Sequence, residues 1–247
     1  MAKAVKLTML EQLTAFLQDG AIGNDDVYIG IDPGVTGAIA LLQVSDKKRM
    51  RMAVFDIPTI TVDRLASAGM IKARKKLAKK KKQKKAVSRT TTRSEYDFQQ
   101  LADFFVKIRK LTKPQRVHIL VEKVVVSTYR PGARRCMACK RQFGQSPYTG
   151  VAVGIANGMW PMLFYAYAWK DFTYVDSGKW KPRMGLAKKD KSASRAVASA
   201  LFKRYNHYFA RVKDHNRAEA ALIAAYACRF KTEVFSELHV SVGSEAE

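Results

Sequence analysis

The stretch Val27-Tyr-Ile-Gly-Ile-Asp-Pro-Gly-Val-Thr-Gly-Ala-Ile-Ala-Leu-Leu42 places a polar corner between two apolar runs. The first run carries β-branched residues at alternate positions and the second is aliphatic, so residues 27–31 and 38–44 are predicted to be buried strands. Pro33 lacks a backbone donor, and Gly34 and Gly37 permit a sharp turn, which predicts a tight hairpin. Asp32 then stands at the end of a central strand.

Asp32 has two interpretations from this stretch alone. A charge among isoleucine and valine side chains is costly unless it has a partner, and a metal ion is one such partner. The alternative is an aspartate that hydrogen-bonds its own turn, as aspartates often do. Acidic residues elsewhere in the chain bear on the choice.

Composition predicts one main domain. The 247 residues are 47% hydrophobic, enough for one sizeable core with additions: a helical extension over 1–26, the main domain over 27–232 with a Lys-rich insertion at 64–93, and a tail over 233–247. No apolar run approaches the ~20 residues of a membrane span, and no secretory signal is expected. Three cysteines predict a reducing compartment: the cytoplasm or nucleoid of a bacterium or phage-infected cell, or an organelle or nucleus in a eukaryote.

The charge of the chain is strongly unbalanced. Lysine and arginine total 45 against 21 aspartate and glutamate, a formal net charge of +24. Such an imbalance predicts a polyanionic partner, most often nucleic acid. An anionic membrane surface and a ribosomal environment are the competing explanations. No basic amphipathic helix with an aromatic or leucine face stands out, which disfavours the membrane.

A Lys-rich stretch at residues 72–93 contains no acidic residue and holds Lys79, Lys80, Lys81 and Lys82 near its centre. Like charges at this density repel, so a loop or a marginal helix is predicted. We favour an arm that binds phosphate backbones with strong salt dependence. A solvated insertion without a specific role and a nuclear-localisation signal are the alternatives.

The next elements predict an α/β crossover. Ser94 is predicted to open a helix, with Asp97 three residues on as in a capping box, and apolar residues repeat on one face at Phe98, Leu101, Phe105 and Ile108. Residues 117–121 then predict a strand that ends at Glu122. The alternative for Glu122 is an edge residue paired with Lys123 or an arginine.

Residues 127–147 are predicted to form a polar loop, which contains Arg130, Arg134 and Arg135. The same loop carries Cys136 and Cys139, which make half of a zinc site, since structural zinc takes four ligands. A zinc site shared across a dimer is one interpretation, and two reduced thiols is the one we favour.

Two helices are predicted in the C-terminal part of the chain. Lys188 and Lys191 lie near the start of the first, and Trp180, flanked by lysines, is interpreted as a core residue rather than an anchor for phosphates. The second opens at Asp214, which either caps the helix or points into a site. Glu219 is unusual among its alanines, and His215 shares its face because the two are four residues apart.

Acidic residues from separate elements would converge if the two strands are neighbours and the last helix packs on the same edge. The four are Asp32, Glu122, Asp214 and Glu219. Carboxylates so close need cations, and hard oxygen ligands select Mg²⁺ or Mn²⁺. Two such ions about 4 Å apart support phosphoryl displacement, so a basic protein with this site fits a nuclease.

Four motifs resemble the RuvC-like Holliday-junction resolvases, and most of all their phage and plastid branch. They are Gly30-Ile-Asp-Pro-Gly34 with Thr36-Gly37, Val121-Glu122-Lys123, Trp180-Lys181, and Lys213-Asp-His-Asn-Arg-Ala-Glu-Ala220, in the family's order over residues 27–230. The resemblance implies a ribonuclease H-like fold with a mixed five-stranded sheet flanked by helices. It also implies a homodimer and Mg²⁺-dependent hydrolysis of phosphodiesters in four-way DNA junctions, with two ions in each site.

By this resemblance the four acids match the family's metal ligands, and Lys181 and Lys191 lie where its members carry basic residues near the scissile strand. Lys188, the loop arginines and the central lysines of the insertion are expected to contact DNA, with His215 and Lys123 supporting the ligands. The Lys-rich insertion and the arginine-rich loop after Glu122 depart from the family pattern. The alternatives are therefore a less selective branched or flap nuclease, and an inactive nucleic-acid-binding protein on the same fold.

Overall fold

The computed structural model describes residues 8–18, 25–45, 49–65, 68–69, 71–72, 76, 90–125, 147–167, 169, 172–231 and 234. Several predictions fall outside these residues: those for Lys79, Lys80, Lys81, Lys82, Arg130, Arg134, Arg135, Cys136 and Cys139. The side chain of Lys191 also lies outside the description, although its backbone lies within it. Those residues keep the status of sequence predictions.

A mixed five-stranded sheet forms the centre of the molecule. Its strands are β1 (Asp26–Asp32), β2 (Ala38–Val44), β3 (Met50–Asp56), β6 (Val117–Glu122) and β7 (Phe172–Val175), in the order β3-β2-β1-β6-β7. β1, β2 and β3 form an antiparallel meander, whereas β6 runs parallel to both β1 and β7. The predicted α/β fold with a mixed five-stranded sheet flanked by helices is confirmed.

Helices cover both faces of this sheet. They are α1 (Met9–Gln18), α2 (Phe98–Leu111), α3 (Pro147–Ala166), α4 (Ser177–Arg183), α5 (Lys191–Leu201) and α6 (His215–Arg229), with short 3₁₀ turns at Pro114–Arg116, Lys203–Phe209 and Val212–Asp214. Apolar side chains of α1, α2 and α3 form one core, and those of α4, α5 and α6 form the other. Trp180 is fully buried in the second core, as its preferred interpretation required. Among the described helices, none is long and apolar enough to cross a membrane.

The prediction that Ser94 opens a helix is wrong. Ser94 lies in β5 (Thr90–Tyr96), which pairs with β4 (Thr59–Leu65) in a separate two-stranded ribbon. Threonine-rich segments favour extended structure, and the ladder with β4 satisfies the backbone groups of β5. The helix begins instead at Phe98, because the Asp97 side chain accepts a hydrogen bond of 3.0 Å from the backbone N–H of Gln100 and caps it.

Helix α6 lies directly on the backbone of the central strand. A Cβ atom added to Gly30 would stand 2.2 Å from the carbonyl oxygen of Ala220 and 2.3 Å from the backbone nitrogen of Ala224. Only glycine permits this approach, and the alanines of α6 keep the helix surface flat enough to use it. This contact fixes where Glu219, one residue before Ala220, stands relative to the end of β1.

Candidate active site at the sheet edge

Two acidic residues end neighbouring parallel strands. Ile31 of β1 pairs with Val121 of β6, so Asp32 and Glu122 follow side by side at the carboxyl edge of the sheet. Ile31 and Val121 belong to the core beneath α1, α2 and α3. Because side chains alternate along a strand, Asp32 and Glu122 face the opposite layer, which contains α6.

The corner that follows Asp32 is tightly hydrogen-bonded. The backbone N–H of Gly34 donates to the Asp32 carbonyl at 3.0 Å, and that of Gly37 donates to the Gly34 carbonyl at 2.8 Å. The Tyr96 hydroxyl donates to the Pro33 carbonyl at 3.3 Å. Burial, and then the negative charge of Asp32, raise the pKa of Tyr96 to about 12. The hydroxyl therefore stays protonated and keeps donating at neutral pH.

Lys181 joins two carboxylates that are far apart in sequence, the partly buried Glu122 and the buried Glu219. Its Nζ atom lies 3.0 Å from Glu219 Oε2 and 4.0 Å from Glu122 Oε1. Trp180 Nε1 donates to Glu122 Oε1 at 3.4 Å, and Ser194 Oγ donates to Glu219 Oε1 at 3.0 Å. Strand β6 and helices α4, α5 and α6 thus each contribute a side chain to this cluster, in which both carboxylates have a neutral donor and share one cation.

The electrostatics of the cluster favour an added positive charge. Burial raises the pKa of Glu122, Lys181 lowers it, and the neighbouring charge of Glu219 raises it; the net effect is a raised pKa. Neighbouring carboxylates oppose each other's ionisation. The ammonium of Lys181 offsets only part of the combined effect of burial and of Glu219 on the pKa of Glu122.

Asp214 is oriented by two arginines. Its side chain is 2% exposed and accepts hydrogen bonds from the Arg211 backbone at 2.8 Å and from Arg211 Nη2 at 2.7 Å, while Arg217 Nη1 lies 3.9 Å away. Burial opposes ionisation of Asp214, but the hydrogen bonds from Arg211 outweigh it and lower its pKa. Asp214 makes no side-chain capping bond to α6, so the capping alternative is not the one that the structure adopts.

The first turn of α6 is tied to two strand ends. Asn216 Nδ2 donates to the Thr36 carbonyl at 2.6 Å, which attaches the helix to the corner after Asp32. Arg217 Nε donates to Asp56 Oδ1 at 2.6 Å, which attaches it to the end of β3. These contacts hold α6 at the same sheet edge as Asp32 and Glu122.

The structure brings the predicted acids together only in part. Glu122 and Glu219 meet at Lys181, Asp32 is the strand neighbour of Glu122, and Asp214 faces Arg211. Within the described ranges, no group of three or more His, Cys, Asp or Glu side chains is placed so that it could hold a metal ion. The metal-binding and catalytic roles of the four acids therefore remain predictions.

The other predicted residues are more peripheral. Lys188 is exposed and has a positive φ of 56°, Lys123 is exposed while its backbone N–H donates to the Val175 carbonyl, and His215 is half-buried. Sequence reasoning missed the roles of Ser194, Arg211 and Asp56. Arg211 lies three residues before Asp214, and Asp56 ends a strand as Asp32 and Glu122 do, so both carried a usable signal, whereas a serine within a helix carries none.

The chemical type of the donors, though not their placement, is that of a ligand set for a hard divalent cation. Carboxylate oxygens of Glu122 and Glu219 already surround a positive charge, the ammonium of Lys181, and Asp32 ends the adjacent strand. Oxygen ligands of this kind are those that Mg²⁺ and Mn²⁺ prefer.

No protein-family model and no curated protein sequence matches the chain. Among solved structures, it is similar to Thermus thermophilus RuvC, with 12% identity over 83% of this chain and 97% of that one, and a TM-score of 0.40. It is also similar to the yeast mitochondrial Holliday junction resolvase Ydc2, with 16% identity over 96% of this chain and 89% of that one, and a TM-score of 0.40. What this chain does is therefore inferred from its own residues.

Proposed function

We propose that this protein is a metal-dependent endonuclease that hydrolyses phosphodiester bonds in branched DNA, with the four-way junction as its substrate. The observation that carries the proposal is the pair of carboxylates, the partly buried Glu122 and the buried Glu219, that share the Lys181 ammonium at the sheet edge beside Asp32. A divalent cation can replace an ammonium between two such carboxylates. The net charge of +24 supplies the attraction to a polyanionic substrate.

The four acids have defined roles in this proposal. Glu122, Glu219 and Asp32, with Asp214 as the fourth, would hold two Mg²⁺ or Mn²⁺ ions. When bound, these ions supply charge stabilisation for the in-line displacement at phosphorus. Trp180 and Ser194 each donate to one carboxylate and so keep Glu122 and Glu219 oriented toward the site.

Lys181 has two consecutive roles in the proposal. Without divalent ions its ammonium neutralises part of the charge of Glu122 and Glu219. Released from Glu219, the same ammonium is a donor for a non-bridging oxygen of the scissile phosphate. Its side chain is about one-third exposed, at 31%, which gives it room to turn outward.

Substrate binding and assembly follow from charge and symmetry. Lys188, Lys191, the arginines of the loop after Glu122 and the Lys-rich insertion would contact phosphates along the arms of the junction. A homodimer would place two active sites on a two-fold substrate, which symmetric resolution of a junction requires.

The test is cleavage of a synthetic four-way junction against a linear duplex of the same sequence, with and without Mg²⁺. The junction should be cut only with Mg²⁺, and Glu122→Gln and Glu219→Gln should bind it without cutting. Equal cleavage of junctions, forks and flaps would instead indicate a less selective branched-DNA nuclease. Binding without divalent-dependent cleavage of any branched substrate would indicate an inactive nucleic-acid-binding protein.

A further inference from the structure

A cavity of about 460 Å³ lies where the β4–β5 ribbon meets the corner after Asp32 and helices α2 and α3. One part of its lining is apolar and consists of Val35, Phe98, Val151 and Ile155. The rest of the lining comes from the ribbon and is mostly polar or charged. Cavities of this size hold small organic ligands. We call this cavity the ribbon pocket.

The ribbon pocket lies at the carboxyl edge of the central sheet. Val35, which lines it, follows Asp32 by three residues. The hydroxyl of Tyr96, another lining residue, donates to the Pro33 carbonyl at 3.3 Å. Because Asp32 faces the layer of α6, the pocket and the acidic cluster around Lys181 occupy opposite sides of the same edge. A DNA strand that crosses this edge would therefore meet both.

The aromatic residues of the pocket offer a surface for stacking. The ring centroids of Tyr96 and Phe98 are 6.0 Å apart, and the two ring planes are tilted by 48°. Tyr96 is buried and fixed to the corner by its hydroxyl, whereas Phe98 is 56% exposed. An exposed ring supported by a fixed one can receive a flat group, and every nucleobase presents a flat face to such a ring.

Two guanidinium groups stand on one face of the ribbon beside these rings. Arg64 pairs with Thr91 in the ladder. Side chains alternate along a strand, so Arg93 and Glu95 share the face of Thr91 and Arg64. Arg64 forms a salt bridge with Glu95, which orients its guanidinium group. Two arginines against one glutamate leave a positive charge here, in a form whose planar donors match the oxygens of a phosphate.

A flat apolar group joined to an anion is the ligand that this lining fits, and a nucleotide has that composition. We infer that the ribbon pocket binds an unpaired nucleotide of the DNA beside the branch point, with its base on Phe98 and its phosphate on Arg93. Removing a base from its stack costs least where pairing is already interrupted. Arg64 and Arg93 are also the first and last residues of the Lys-rich insertion, which departs from the RuvC-like pattern.

The first test measures affinity by fluorescence anisotropy, without divalent ions, for an oligothymidylate and for an abasic oligonucleotide of equal length and charge. The wild type should bind the oligothymidylate at least about fivefold more tightly. Phe98→Leu keeps an apolar side chain without a ring and should lose this preference, whereas Phe98→Tyr should retain it. Tyr165→Ala is the matched control, because Tyr165 is 68% exposed but packs against Phe172, and it should leave both affinities unchanged.

The second test concerns the phosphate. Arg93→Ala should weaken the binding of both oligonucleotides and reduce the slope of log affinity against log salt by about 0.7, the value for one phosphate contact of a single strand. Arg204→Ala is the matched control and should change neither quantity. Arg204 is exposed next to Tyr205, whose hydroxyl contacts the start of β3 at the other end of the sheet.

Three results would overturn the inference. The first is equal affinity of the wild type for the two oligonucleotides, and the second is a preference for bases that survives Phe98→Leu. The third is tighter binding of a polyglutamate of equal charge than of the oligothymidylate, which would assign the pocket to an acidic peptide. Circular dichroism and the melting temperature of Phe98→Leu should match the wild type, because the Phe98 side chain is largely exposed.

This inference rests on the proposed function, because it names the part of the branched DNA that the pocket takes. The two ideas can fail separately, since binding is measured without divalent ions. A preference for bases that depends on Phe98, in a protein that cuts no branched DNA, would refute the nuclease alone. Cleavage of junctions by a wild type that shows no preference for bases would refute the nucleotide pocket alone.

Discussion

Replacing Lys181 with methionine isolates its role as the cation of the acidic cluster. Methionine keeps much of the aliphatic stem, but it removes the ammonium, which Glu122 and Glu219 share and which lies 5.2 Å from the centroid of the Trp180 ring. Removing one partner of a fully buried ion pair costs about 3–5 kcal/mol. The Lys181 side chain is 31% exposed, so solvent screens part of the pair. We therefore expect a loss of about 2 kcal/mol in the free energy of unfolding.

The assay is thermal unfolding without divalent ions at neutral pH. For a chain of this size, about 2 kcal/mol corresponds to a fall of roughly 4–8 °C in the melting temperature. Lys189→Met is the matched control, because Lys189 is exposed, and it should melt with the wild type. Adding Mg²⁺ or Mn²⁺ should raise the melting temperature of Lys181→Met more than that of the wild type, since no ammonium competes for the carboxylates.

The pH dependence of stability tests the same prediction independently. Burial raises the pKa of Glu122 on folding, and Lys181 opposes that rise. A carboxyl whose pKa is raised by folding stabilises the folded state as pH falls. The difference in free energy of unfolding between the wild type and Lys181→Met should therefore shrink between pH 7 and about pH 5. A variant as stable as the wild type at neutral pH without metal would refute the reasoning, because the carboxylates would then need no cation.

Three further predictions concern residues that position helix α6, helix α2 and the Asp214 side chain. Gly30→Ala should lower the free energy of unfolding by about 3 kcal/mol and the urea midpoint with it, because its Cβ would stand 2.2 Å from the Ala220 carbonyl oxygen; an unchanged midpoint would contradict the close packing. Asp97→Ala should cost about 1 kcal/mol in urea unfolding through the lost cap of α2, whereas Asp97→Asn should cost less. Arg211→Ala should lower the free energy of unfolding at neutral pH and match the wild type in acid. Arg211 lowers the pKa of Asp214, and the stability that this pairing contributes is lost as Asp214 is protonated. A difference in urea midpoint that does not change with pH would exclude this pairing.

Local sequence determined the central strands, most of the helices and the burial of Trp180. The β-branched run around Asp32 and the helical repeat of Phe105 and Ile108 encode which face of an element is apolar, and that information is contained in a few neighbouring residues. The helix prediction at Ser94 was wrong because it, too, used only neighbouring residues. Its cap-like spacing is local, but its backbone pairs with β4, which lies across the Lys-rich insertion in the chain.

Only the tertiary structure decided how the acids are paired. Glu219 accepts hydrogen bonds from Lys181, 38 residues away, and from Ser194, 25 residues away. These contacts form because Gly30 allows α6 to pack directly on β1. Asp214 turns to Arg211 although its place before a helix suggests capping. Strand and helix preferences act over a few residues, whereas the partner of a charged side chain depends on which distant elements share a core. The sequence alone therefore predicted that Asp32 and Glu122 end strands and that Asp214 precedes a helix, whereas packing decided what each carboxylate contacts.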